Sequence, residues 1–189
     1  MSKPISADCI IAAARRIADK YGLASISIRG VARECGISVG SLYNYFPSCD
    51  ELVVATVNDL IGSMFYEDFC HPDPAENYLV YCERLFDSLR SRMASPESNL
   101  IEQFQELSPG ARIAGMRRMN AVLSHIETGL ESVLLADPQA NKSVLVEALS
   151  PRNIAKLTVS CMMDSLRTNK DCTTFFAMLA HVLYEKQIR

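Results

Sequence analysis

Eight consecutive residues, Ser38 to Tyr45, bring together four hydroxyls, one carboxamide and a glycine without a single charge. Such a set makes hydrogen bonds to a polar or anionic surface. It is not a catalytic set, because a nucleophilic hydroxyl needs a base beside it and this tract has neither histidine nor carboxylate. Elsewhere His71, His125 and His181 lie far apart, and the sequence has no G-x-S-x-G, no phosphate loop and no cluster at metal-ligand spacing. Seven cysteines (Cys9, Cys35, Cys49, Cys70, Cys82, Cys161 and Cys172) are an odd number without a C-x-x-C pair. That spacing reads as small buried apolar residues in a reducing compartment. The expectation is a protein that is not an enzyme and needs no metal or cofactor.

The residues around the hydroxyl tract indicate its use. From Ile28 to Pro47 the sequence is IRGVARECGISVGSLYNYFP, which suits two short helices joined by a tight turn, a helix-turn-helix. The helices can cross closely only where a side chain is small, and Ala32 supplies that. Four residues later the chain must turn, and Gly36 can take a positive φ without a steric penalty. Val31, Cys35, Ile37, Leu42 and Tyr45 are then expected to close a miniature core. Val39, Gly40, Ser41 and Asn44 lie near the exposed N-terminal end of the second helix. A helix presented this way can enter the major groove of double-stranded DNA, with Gly40 letting the backbone come close and the helix N-terminus favouring a phosphate. Taken alone, Tyr43, Tyr45 and Phe46 would equally suit an aromatic stripe in a helical core. Their company, Ala32, Gly36 and the capping serines, favours DNA.

Apolar residues recur at intervals of three and four with no sustained alternation, which predicts an all-α chain. Ser6 caps a first helix that Gly22 ends, Ser27 caps a second to about Cys35, and Ser38 caps a third through Phe46, stopped by Pro47. Ser48 with Glu51 forms a capping box for a fourth helix to about Phe69. HPDP at 71–74 reads as a loop. Longer helices are predicted from about Ala75 to Met93, Pro96 to Leu107 and Ala111 to Leu135, with a short helical turn before Leu149. Ser150-Pro151 then opens a helix to about Thr168, and Asp171 a last one through about Gln187.

The stretch GISVGSLYNYFPSCDEL, Gly36 to Leu52, resembles the TetR family of transcriptional regulators, whose hallmark is a small-capped helix, a glycine turn, a tract like S-x-G-x-L-Y-x-Y-F and then a capped helix with an acidic first turn. The resemblance is strong over about the first quarter of the chain. It implies an N-terminal three-helix helix-turn-helix DNA-binding domain, residues 1–50, and a C-terminal helical ligand-binding and dimerisation domain, residues 51–189. It further implies repression relieved when a ligand moves the two DNA-binding heads apart. Carried over residue by residue, Ser27 and Arg29 approach phosphates, with Ser38 as cap. Val39, Gly40, Ser41, Tyr43 and Asn44 face the groove, and Tyr43 and Tyr45 reach phosphates through their hydroxyls. One position departs: where the family usually has a lysine at the start of the fourth helix, this chain has Cys49. Loss of that cation should lower the salt slope of DNA binding by roughly one unit. It also favours the competing reading, a ligand-binding or interaction protein of the same fold whose DNA binding is weak or lost.

Wide apolar faces on the last two helices, with Ile154, Leu157, Thr158, Cys161, Met162 and Ser165 on one and Phe175, Phe176, Met178, Leu179, Val182 and Leu183 on the other, predict more than one packing neighbour. A two-fold homodimer through these helices suits a palindromic operator with half-sites about one duplex turn apart. The pocket for a small-molecule effector of apolar or aromatic character is expected among Tyr78, Tyr81, Cys82, Phe86, Phe104, Met116, Met119, His125 and Met162. Position alone also suggests a redox response through Cys49 or Cys82. The net charge is −3, yet residues 1–52 carry six basic and five acidic side chains against 13 and 17 in the remainder, so the first quarter is the less acidic part. No apolar stretch reaches the roughly 18 residues that span a bilayer, and no export cleavage pattern follows the first helix. A cytoplasmic location is expected, with no membrane partner.

Overall fold

A computed structural model describes residues 5–65, 76–93 and 105–184. Among them the chain forms helices α1 (Ala7–Tyr21), α2 (Ile28–Cys35), α3 (Val39–Tyr43), α4 (Cys49–Phe65), α5 (Tyr78–Met93), α6 (Pro109–Ala136), α7 (Pro151–Arg167) and α8 (Thr173–Tyr184). Short 3-10 turns occupy Leu23–Ser25, Lys142–Val144 and Glu147–Leu149. The described residues contain no strand, so the fold is all-α. The helix expected from Pro96 falls almost wholly outside the described residues, as do the last turns expected beyond Phe65 and Tyr184.

Contacts divide the described residues into two compact units, one drawn from residues 5–64 and 105–120, the other from 65, 76–93 and 121–184. In the first unit the helix starts are set by serine caps. Ser6 Oγ accepts from the Cys9 N–H at 3.2 Å, and Ser48 Oγ from that of Glu51 at 3.1 Å. The core is assembled from Ile10, Ala13, Ala14 and Ala18 of α1, Val31 and Ala32 of α2, Leu42 of α3, and Leu52, Val57 and Ile61 of α4. Alanines on both α1 and α2 let the two helices approach.

α3 is shorter than the sequence predicts, ending at Tyr43. Pro47 offers no N–H to continue a helix, and the last turn tightens so that the Tyr45 N–H bonds the Leu42 carbonyl at 2.9 Å.

In the second unit, α5, α7 and α8 surround a core that includes Tyr78, Leu85, Ile154, Met162, Leu179 and Leu183. Asp137, fully buried at the end of α6, ties three helix ends together. Its carboxylate accepts from the Tyr78 N–H at 2.8 Å, the Gln139 N–H at 2.8 Å and the Tyr184 hydroxyl at 2.6 Å. The Tyr78 and Thr158 hydroxyls, both buried, bond each other at 3.0 Å, so neither is left unsatisfied.

Candidate nucleic-acid interface

The expected DNA-contacting residues fall on two stretches, Ser27 and Arg29 at the start of α2, and Ser38 to Tyr45 on and around α3. Ser27 Oγ accepts from the Gly30 N–H at 3.2 Å and Ser38 Oγ from the Ser41 N–H at 3.0 Å, so both serines act as helix caps. The Ser38 and Ser41 hydroxyls also bond each other at 2.8 Å. Gly36 sits in the left-handed region at φ 65°, as its place in the turn demands. Leu42, fully buried, anchors α3, while Val39, Gly40, Tyr43 and Asn44 are exposed and Ser41 is half-buried. A Cβ built on Gly40 meets only Ser38 Oγ, at 3.8 Å. Nothing inside the protein therefore excludes a side chain there.

Tyr45 differs from expectation. It is 42% exposed rather than part of the miniature core, and its hydroxyl donates to the Ile5 carbonyl at 2.7 Å. Phe46 is the buried aromatic instead, because the tightened turn after Tyr43 swings residue 46 inward. Cys35 and Ile37 are half-buried, at the edge of that core. Cys49 turns its thiol toward the loop before α2, donating to the Ile26 carbonyl at 3.4 Å.

The four arginines of α1 and α2 fall into two sets. Arg15 pairs with Asp59 at 3.0 Å and also donates to Ser63, and Arg16 pairs with Glu34 at 3.1 Å. Arg29 and Arg33 are exposed and form no salt bridge among the described residues. Arg33 was not among the residues expected from the sequence. Its i, i+4 spacing from Arg29 was the signal that places both on one side of α2.

The expected pocket residues differ in burial. Tyr78, Tyr81, Cys82, Phe86 and Met162 are buried in the second unit. Met119 is half-buried, whereas Met116 and His125 are exposed. Phe104 lies outside the described residues. Of this set only Phe86 lines the groove of about 390 Å³ between α5 and α8. The cysteines are less uniformly buried than expected: among those described Cys82 and Cys172 are buried, but Cys9 is exposed, one position off the apolar stripe of α1. Burial pushes the Cys82 thiol well up, which removes the thiolate that a redox response needs.

Three comparisons with known proteins bear on this arrangement. Residues 10–56 match the family model for bacterial regulatory proteins, tetR family. The chain is 25% identical over 154 residues to the HTH-type nicotine-responsive transcriptional repressor HdnoR of Paenarthrobacter nicotinovorans, covering 81% of this chain and 77% of that one. The solved structure of the multidrug binding protein EbrR complexed with imidazole shares the fold at a TM-score of 0.62, with 20% identity and 99% of each chain covered. EbrR complexed with proflavin gives 0.58, with 20% identity over 93% of this chain and 98% of that one. E. coli NemR in its reduced form gives 0.63, with 13% identity over 96% of this chain and 99% of that one.

Proposed function

This chain belongs to the tetR family of bacterial regulatory proteins, and from that premise we propose that it is a repressor that binds a palindromic operator as a homodimer and releases it when a small molecule binds. The observation carrying this reading is the geometry of α3: Ser38 caps it, Leu42 anchors it, and Val39, Gly40, Tyr43 and Asn44 are left exposed. Val39, Gly40, Ser41 and Asn44 are assigned to base edges. Ser27, Arg29, Arg33 and Tyr43 are assigned to phosphates, which hold the register without reading sequence.

Residues 1–50 carry DNA binding in this reading, and residues 51–189 effector binding and dimerisation. The dimer forms through α7 and α8, where Leu157 and Met178 are about half exposed and Ser160 is small and exposed. As for the effector, the relatives' names mention nicotine, imidazole and proflavin, all nitrogen heterocycles with a basic centre. We assign this chain an effector of the same broad kind, a small aromatic base.

The second reading, a protein that no longer reads DNA, draws on Cys49, whose side chain supplies no cation and is engaged with Ile26. Selection of purified protein against random duplexes at two salt concentrations separates the two. Enrichment of a palindrome with a steep salt dependence supports the repressor. Failure to enrich any sequence at either salt overturns it.

A further inference from the structure

Ser38 Oγ makes two hydrogen bonds with the same residue. It accepts from the Ser41 N–H at 3.0 Å, and it lies 2.8 Å from Ser41 Oγ, so that one hydroxyl donates to the other. Neither hydroxyl has another partner among the described residues. The closed pair is particular to α3. Other serines cap helices, but three residues on they meet Cys9, Gly30, Glu51, Ala111 and Asn153, none of which carries a hydroxyl.

Which hydroxyl donates follows from the bond already in place. An oxygen that accepts a hydrogen bond becomes a stronger donor, because the bonds of a chain polarise one another. Ser38 Oγ accepts from a backbone N–H, which favours sending its own proton to Ser41 Oγ. In the opposite arrangement it would accept twice and leave its proton to solvent. We propose that Ser38 sets the sense in which Ser41 reads DNA: Ser38 donates to Ser41, and Ser41 presents its own proton, not its lone pairs, to the base edge it faces. The proposal rests on the assignment of Ser41 to a base edge made above. Ser38 is then a positioning residue for specificity as well as a helix cap. Its consequence is a base that is refused. In the major groove guanine, adenine and thymine each offer an acceptor, whereas cytosine offers only its N4 amino donor. Two donors facing each other leave both unsatisfied, so cytosine is disfavoured at one position of each half-site.

Selection of random duplexes by the purified full-length protein, followed by sequencing, reads base preference position by position. Ser41→Ala marks the position concerned, because only there does the bias against cytosine disappear. The bias expected of the unsubstituted protein is about five- to tenfold, the scale of one hydrogen bond. Ser38→Gly keeps a tolerated cap but frees the Ser41 hydroxyl to turn its lone pairs outward, and the bias should fall below about twofold. Ser38→Asp also caps, yet a carboxylate only accepts, so Ser41 must donate to it and cytosine should become the favoured base. The added negative charge weakens binding to every sequence alike, which leaves the ratio between bases as the readout. Circular dichroism checks that helix content is kept. A cytosine bias unchanged in both Ser38 variants makes Ser38 a cap alone and overturns the proposal while the repressor reading stands. Enrichment of a palindrome in which no position responds to Ser41→Ala overturns it too. Failure of the unsubstituted protein to enrich any sequence overturns the repressor reading and this proposal with it.

Discussion

Tyr43 and Tyr45 look interchangeable in sequence, two residues apart with the same hydroxyl, yet they are placed to do different things. The Tyr43 ring is 48% exposed, whereas Tyr45 has its proton committed to the carbonyl of Ile5 at 2.7 Å. Tyr43→Phe is therefore expected to weaken operator binding by about 1 kcal/mol, the net worth of one hydrogen bond, with the melting temperature unchanged. Tyr45→Phe should do the reverse, lowering unfolding free energy by about 0.5–1 kcal/mol and affecting operator affinity less. Parallel denaturant melts and operator titrations distinguish them; equal effects of both variants on affinity would mean that Tyr45 leaves Ile5 and reaches DNA. Cys49 allows a sharper test. Cys49→Lys puts a cation at the start of α4 on each protomer, so the operator-binding plot of log K against log salt should steepen by roughly one unit for each phosphate gained. An unchanged slope would mean that this position does not face the duplex. The sequence revealed the missing lysine but not the Ile26 carbonyl that the thiol bonds, 23 residues away.

Helix starts were legible because a cap is a local event. Ser6, Ser27, Ser38 and Ser150 each accept from the N–H three residues on, and nothing distant is needed to see it. Local geometry also ranks the glycines. Gly36, at φ 65° and ψ 30°, occupies a region that other residues enter at a cost of about 1–2 kcal/mol. Gly22, at φ 86° and ψ 158°, occupies one that is nearly closed to them. Gly22→Ala should accordingly destabilise more than Gly36→Ala in denaturant melts. Gly40→Ala is different again: with only Ser38 Oγ near the added methyl, stability should hold or rise by up to about 1 kcal/mol through better helix propensity, while operator binding falls. Undiminished binding would remove Gly40 from the interface.

Asp137 was not legible, because the groups that define it lie 59 and 47 residues away in Tyr78 and Tyr184. Burial pushes its carboxyl up, but hydrogen bonds from the Tyr184 hydroxyl and the Tyr78, Gln139 and Ala140 N–H groups outweigh it and hold the pKa below the ordinary value. The unfolded chain thus binds the proton more readily. The stabilisation is complete at pH above about 4, where unfolded aspartates ionise, and is lost as pH falls through the lower folded-state value. Asp137→Asn should cost about 1–3 kcal/mol at neutral pH, the penalty for a buried network left short of an acceptor. That difference should shrink in acid; a gap independent of pH would assign the loss to packing instead.

At the scale of the whole molecule the charge is arranged against its use. The chain carries −3 in total, and acidic side chains outnumber basic ones only beyond the DNA-binding head, where residues 1–52 hold six basic and five acidic groups. In the proposed repressor reading, a head with so little net charge would hold an operator weakly by itself, and binding would depend on two of them acting together. The proposed interface makes that dependence testable because its apolar residues are not those that hold the monomer. Along α7, Ile154, Thr158 and Met162 are buried in the second unit while Leu157 is 48% exposed, and on α8 Phe176, Leu179 and Leu183 are buried while Met178 is 50% exposed. Leu157→Glu/Met178→Glu should therefore leave the folded protomer within about 0.5 kcal/mol of its original stability, as surface substitutions do. It should convert a dimer to a monomer in sedimentation. Operator affinity should then fall at least about 100-fold, since the second half-site is no longer presented at the effective concentration that linkage provides. A variant that still sediments as a dimer places the two-fold axis away from α7 and α8. A monomer that binds the full operator undiminished would mean that one head suffices, and the palindrome would lose its physical basis.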